Sequence, residues 1–146
     1  MALNFPKYVQ KAEEFIGEVA FELGDPTDKV KAARVLRAVF HAFRDWVTPA
    51  ESLQLISQLP MFIKAIYVDG WKIKDNGQHN RHLGDFIEAV READDIRNNG
   101  DFVTDYEAKE AIQAVFRVLK NHVSEGEVHD LIAVLPGEMK GVFAMA

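Results

Sequence analysis

The chain has 146 residues, 48% of them hydrophobic, a net charge of −6 and no cysteine. A chain of this length buries roughly 70% of its unfolded surface, so one compact domain or two small, intimately packed halves is expected. The composition excludes disulfides, thiolate metal sites and cysteine nucleophiles, no run approaches the roughly 18 apolar residues of a membrane span, and the acidic balance argues against a general nucleic-acid binder.

Ala12, Phe15, Ile16, Val19 and Leu23 fall on one helical face and predict a first helix over residues 5–23, ended by Gly24. Asp25, Pro26 and Asp28 stand in the order of cap, first helical residue and favourable charge, so a second helix is expected from there to Trp46, with Leu36, Val39, Phe40, Phe43 and Val47 on its apolar stripe. Thr48, Pro49 and Glu51 read as a capping box opening a short third helix with Leu55, Ile56 and Leu59. Pro60 disfavours helix at the residue before it and opens a fourth piece carrying Ile63, Ile66 and Tyr67, which Gly70 terminates. The polar stretch that follows lacks apolar periodicity and reads as a connector.

The pattern then begins again. Leu83, Phe86, Ile87 and Val90 repeat Ala12, Phe15, Ile16 and Val19 at an offset of 71, and the next loop, around residues 98–102, is five residues longer than its counterpart. Residues 35–67 recur without a gap as 111–143, AVFHAFRDWVTPAESLQLISQLPMFIKAIY against AVFRVLKNHVSEGEVHDLIAVLPGEMKGVF in the central part, an offset of 76. Thr104 with Glu107 and Ser124 with Glu127 supply two more capping boxes; Ile112, Val115, Phe116, Leu119 and Val123 reproduce the helix-two stripe, and Leu131, Ile132, Leu135 and Pro136 the third helix and its break. Helix faces, caps and breakers coinciding over such a length point to a duplicated unit. The expected fold is all-α: two tandem helical repeats, 1–71 and 83–146, of about four helices each with the fourth short, joined by a connector over 72–82 and packed as one pseudo-twofold bundle. Charge is uneven, with 10 Lys/Arg and 10 Asp/Glu in residues 1–75 but 7 and 13 in residues 76–146.

Phe15, Ile16 and Val19, then Ala38, Val39 and Phe40, Thr48, Pro49 and Glu51, Leu59 and Pro60, and finally Tyr67, Gly70 and Trp71 form an ordered set of motifs. In that order and spacing the chain resembles the bacterial family catalogued as domain of unknown function 2267. The resemblance covers nearly the whole sequence, although the second copy has no Gly-Trp counterpart. It implies an all-helical bacterial protein of unassigned biochemistry and carries no catalytic residues across.

Candidate chemistry is sparse. Gly70 is expected in the left-handed position after its helix, with Trp71 folded back on the last turn, and Trp46 is expected at the edge of the core. His79, His82 and Asp85, at intervals of three, would permit a zinc or nickel site on a helix, but they adjoin the polar connector without a fourth ligand and read as solvated surface. Glu14, Glu18 and Glu22 read as a solvated carboxylate row. The serines Ser52, Ser57 and Ser124 lie in no nucleophile elbow, and no Gly-rich phosphate loop occurs. No metal or cofactor is expected, and nothing supplies the residues of an enzyme. The polar feature that stands out is a basic stripe on helix two, Arg34, Arg37, His41 and Arg44, opposite the apolar one; the matching places in the second repeat hold Glu110, Gln113, Arg117 and Lys120.

Two classes of function follow. The leading expectation is a non-catalytic, soluble interaction or regulatory module that uses this stripe to engage a protein partner or a second copy, as in a homodimer. The absence of a basic leader before an apolar stretch in residues 1–11 leads to a cytoplasmic expectation. The alternative is a small-molecule-binding protein or enzyme with a pocket between the repeats, lined by Phe43, Trp46, Tyr67 and Trp71.

Overall fold

The computed structural model describes residues 3–73, 82–95 and 99–146, and all regular structure among them is helical. Eight helices follow one another: α1 Phe5–Glu22, α2 Lys29–Phe43, α3 Pro49–Ser57, α4 Met61–Val68, α5 Leu83–Asp95, α6 Asp105–His122, α7 Glu125–Val134 and α8 Gly137–Met145.

Local chemistry sets most of the boundaries. Asn4 caps α1 by accepting the Lys7 N–H at 3.1 Å. Gly24, at φ +89°, ends that helix in a Schellman turn, with Gly24 N–H donating to Phe21 O and Asp25 N–H to Ala20 O. The cap of α2 is Asp28, which accepts from Lys31 N–H at 3.0 Å. Asp25 is instead occupied by the backbone N–H and hydroxyl of Thr27, so Pro26 belongs to the preceding turn and not to the helix. α2 stops at Phe43, and two tighter i→i−3 bonds, Asp45 N–H to Ala42 O and Trp46 N–H to Phe43 O, carry the chain to Trp46.

The Thr48–Glu51 capping box is complete in both directions. Thr104 caps the Glu107 N–H. At Ser124 the hydroxyl accepts from Glu127 N–H, but the Ser124 N–H donates to Gln58 Oε1 at 2.6 Å and not to the Glu127 carboxylate. Pro60 and Pro136 both sit as caps in extended backbone, each accepting the N–H four residues on.

α2 packs against α1, α4, α5 and α6, and α6 against α1, α5 and α8; α3 meets α4 and α7. The apolar stripes of α2 and α6 are buried together with Phe15, Phe86, Ile63, Tyr67, Met139 and Phe143 in one cluster. Each such side chain contributes about 1.5–3 kcal/mol when fully buried. Rings from both halves meet at its centre: Phe116 stands 5.9 Å from Phe43, 6.3 Å from Phe86 and 4.8 Å from Phe143, and Trp46 packs edge-on to Phe86 at 5.1 Å.

Candidate functional site

Steps of three and four residues put Arg34, Arg37, His41 and Arg44 on one side of α2, but that side is only partly open to water. It lies against the end of α4, whose last carbonyls lack intrahelical donors. Arg44, only 8% exposed, donates through Nη1 to Tyr67 O at 2.7 Å and to Asp69 O at 2.9 Å. His41 Nε2 lies 2.9 Å from Ile66 O, and Arg37 pairs with the Asp69 carboxylate. Arg34 reaches the other half of the molecule, forking onto Asp101 with Nε at 3.1 Å and Nη2 at 2.8 Å from its two oxygens.

The stripe is therefore engaged inside the molecule: Arg34 and Arg37 hold carboxylates, and His41 and Arg44 meet carbonyls at the C-terminus of α4. Lys120, the counterpart of Arg44, does the same in the second half, donating to Ala144 O at 2.9 Å at the end of α8. The carboxylate row is likewise partly engaged: Glu18 meets His122 at 2.6 Å and Glu22 meets Arg117 at 2.7 Å, both across the two halves.

The aromatic set expected to line a pocket fills its own space. Phe43, Trp46 and Tyr67 are buried, the last with its phenol 2.7 Å from the buried Ser52 hydroxyl. Burial pushes the Tyr67 phenol well above its ordinary range. Half-buried Trp71 stands edge-on to Tyr67 at 6.0 Å, beside Gly70 at φ +67°, as the Gly-Trp pair predicts. His79 lies outside the described residues. His82 and Asp85 cap α5 together, Asp85 accepting the His82 N–H at 3.0 Å, while Glu138 accepts the Leu83 N–H at 2.8 Å. Among the described residues no three His, Asp or Glu side chains gather as metal ligands.

Two surface features bear on function. The first is a cleft of about 190 Å³ where the end of α1 and the start of α2 meet α6 and the 99–103 loop. Leu23, Val35, Phe102 and Ala111 line it with apolar surface, and Lys31, Asp101, Glu110 and the Glu22–Arg117 pair with charge. Asp101 accepts the Arg34 fork, and its own N–H donates to Asp94 Oδ2 at 2.8 Å. Burial works against the Asp101 carboxylate, but Arg34 and the hydrogen bond with Asp94 outweigh it and hold its pKa below the ordinary value. Burial, reinforced by Asp101, pushes Asp94 up to about 6.

The second is an aromatic face on α1 and α4. Phe5, 59% exposed, packs edge-on to Tyr8 at 6.2 Å, and Tyr8 edge-on to Phe62, 38% exposed, at 6.3 Å. Exposed Leu3, Val9 and Met61 lie on the same turns. Residues 3–12 and 59–68 carry Lys7, Lys11 and Lys64 and no acid. At the 76-residue offset of the sequence, Glu138 stands where Phe62 does. Reading α1 from Ala12 onward passed over this face; the signal for it was apolar Phe5, Tyr8 and Val9 in a first turn that needs no core residue.

A model of the family described as an uncharacterized conserved protein, DUF2267, matches residues 12–142. No curated protein matches the chain.

Proposed function

The chain belongs to the DUF2267 family, whose description assigns no activity, and we propose from the geometry that it is a non-catalytic interaction module binding an acidic amphipathic helix of a partner protein on the aromatic face of α1 and α4. The observation that carries this reading is the Phe5–Tyr8–Phe62 ladder spanning two packed helices, with Phe5 and Phe62 exposed on either side of half-buried Tyr8. The repeat does not need it, because the second half has Glu138 at the place of Phe62 and uses it to cap α5. Rigid aromatic side chains supply large contact area at low entropic cost, and a helix laid between two helices is a common way to use them. Lys7, Lys11 and Lys64 lie on these two helices of a protein of net charge −6, Lys11 pairing with Glu14 at 3.7 Å. A second copy meeting this face with its own lysines would be repelled, which favours an acidic partner over a symmetric homodimer. The stripe of Arg34, Arg37, His41 and Arg44 serves this module as its internal bracing.

The test is a selection of acidic amphipathic helical peptides against the full chain, with the Phe62→Glu variant as counter-selection and NMR shift mapping of the enriched sequences. Glu already occupies the equivalent position in the second half, so the variant retains the fold. Acidic sequences that shift α1 and α4 and are lost on Phe62→Glu are expected. Enrichment of neutral or basic peptides, a concentration-dependent dimer abolished by Phe62→Glu, or binding to anionic vesicles lost in the same variant would each overturn the reading.

The two halves are further read as duplicated units, 1–71 and 83–146 about the 72–82 connector, related by a pseudo-twofold axis. The pairing of helices supports this: α2 with α5 is answered by α6 with α1, α2 with α4 by α6 with α8, and α3 meets its own counterpart α7. No helix among the described residues is long and apolar enough to cross a membrane, and a chain free of cysteine suits the cytoplasm. The second functional reading, a small-molecule binder, is favoured by the cleft beside Phe102 and not by the ring cluster of Phe43, Trp46 and Tyr67. Native mass spectrometry after gentle purification checks it, a small mass lost on denaturation being the expected sign.

A further inference from the structure

The 99–104 loop leads into α6 beside the seam between the halves, and it is held from three sides. Arg91 of α5 donates to Val103 O at 3.2 Å and pairs with Asp105 at 2.6 Å. Arg34 of α2 forks onto Asp101, and Asp94 at the end of α5 accepts the Asp101 N–H. The third hold is unusual. Asp94 is 1% exposed, and its Oδ1 has no hydrogen-bond partner among the described residues. A buried carboxylate with one oxygen unsatisfied and a second carboxylate beside it is unstable as an ion, whereas the protonated acid can donate to Asp101.

We propose that Asp94 and Asp101 are a proton-sharing carboxyl pair that fastens the 99–104 loop to the seam between the halves when one proton is present and slackens it when both are ionised. Arg34 and Lys31 of α2 face Asp101, with Asp28 behind Arg34, and Asn99 and Asp101 face Asp94. One guanidinium and one ammonium keep Asp101 ionised, so the shared proton resides on Asp94. When that proton leaves, Asp94 regains hydration only if the loop lifts, carrying with it Phe102, which lines the cleft. Burial and the neighbouring carboxylate place this loss at about pH 6. The inference stands independently of the docking face on α1 and α4.

Carboxyl carbon NMR titration of the full chain, together with amide hydrogen exchange corrected for the intrinsic pH dependence, tests it. The expected result is an Asp94 midpoint near 6 and a fall of about tenfold in protection of the Asp101 amide between pH 5 and 7.5. Asp94→Asn keeps an acceptor for that amide and a donor for Asp101, so its protection stays level. An Asp94 midpoint in the ordinary range near 4, or equal loss of protection in wild type and variant, overturns the proposal. Should the variant fail to fold, the wild-type titration and exchange decide alone.

Discussion

Asp94→Asn is expected to stabilise the protein at neutral pH, and the size of the effect follows from linkage. The folded-state pKa of Asp94 is raised from 3.8 to about 6, so the native state binds this proton more tightly than the unfolded chain does. Stability from that proton is present in full below the unfolded value and is lost as pH rises through the folded one. A shift of about two units corresponds to about 3 kcal/mol, which is the penalty the wild type carries above pH 7. Asparagine removes the charge, keeps the acceptor for the Asp101 N–H and supplies a permanent donor toward the Asp101 carboxylate. The variant is therefore equal to wild type near pH 3.5 and more stable above pH 7, by at most about 3 kcal/mol and by less where lifting the loop costs less than ionising Asp94 in place. Urea unfolding followed by circular dichroism at half-unit steps from pH 3.5 to 8 measures it. The reasoning is refuted if the two proteins show parallel pH profiles, or if their difference arises below pH 4 and not between 4 and 6.5.

Three further outcomes are expected. Phe116→Ala, which empties the place where Phe43, Phe86 and Phe143 converge, costs about 3–5 kcal/mol in urea unfolding. Arg44→Met strips donors from the Tyr67 and Asp69 carbonyls and costs about 2–4 kcal/mol, whereas Lys120→Met, whose contacts with the Ala144 and Ala146 carbonyls are exposed and part-buried, costs less, about 1 kcal/mol by the same assay. Phe62→Glu places a carboxylate in the first turn of α4 and changes thermal stability by less than about 1 kcal/mol, upward if at all, while abolishing peptide binding; a strongly destabilised variant would mean that Phe62 serves the core.

The sequence by itself determined what rests on interactions within one turn of helix. The Asn4, Thr48, Thr104 and Ser124 caps close over three residues, the Pro60 and Pro136 breaks are intrinsic to proline, and the 3.6-residue spacing of Phe40 with Phe43 or Phe116 with Leu119 says which face turns inward. Even there, Asp25 and Asp28 compete for one cap within the sequence. Only the geometry of the Thr27 turn gives it to Asp28. Tertiary structure decided everything that depends on a partner far along the chain. Arg44 reads as a surface cation until a carbonyl 23 residues on meets it, and Arg34 until Asp101 arrives from 67 residues away. Conversely, the apolar face read from Ala12 onward passes over Phe5 and Tyr8, and only the packing of α4 brings Phe62 against Tyr8. The physical reason is one of range: caps and stripes are set by backbone geometry and side-chain size at neighbouring positions, whereas desolvation and charge pairing are properties of whichever atoms the completed packing brings within a few ångströms.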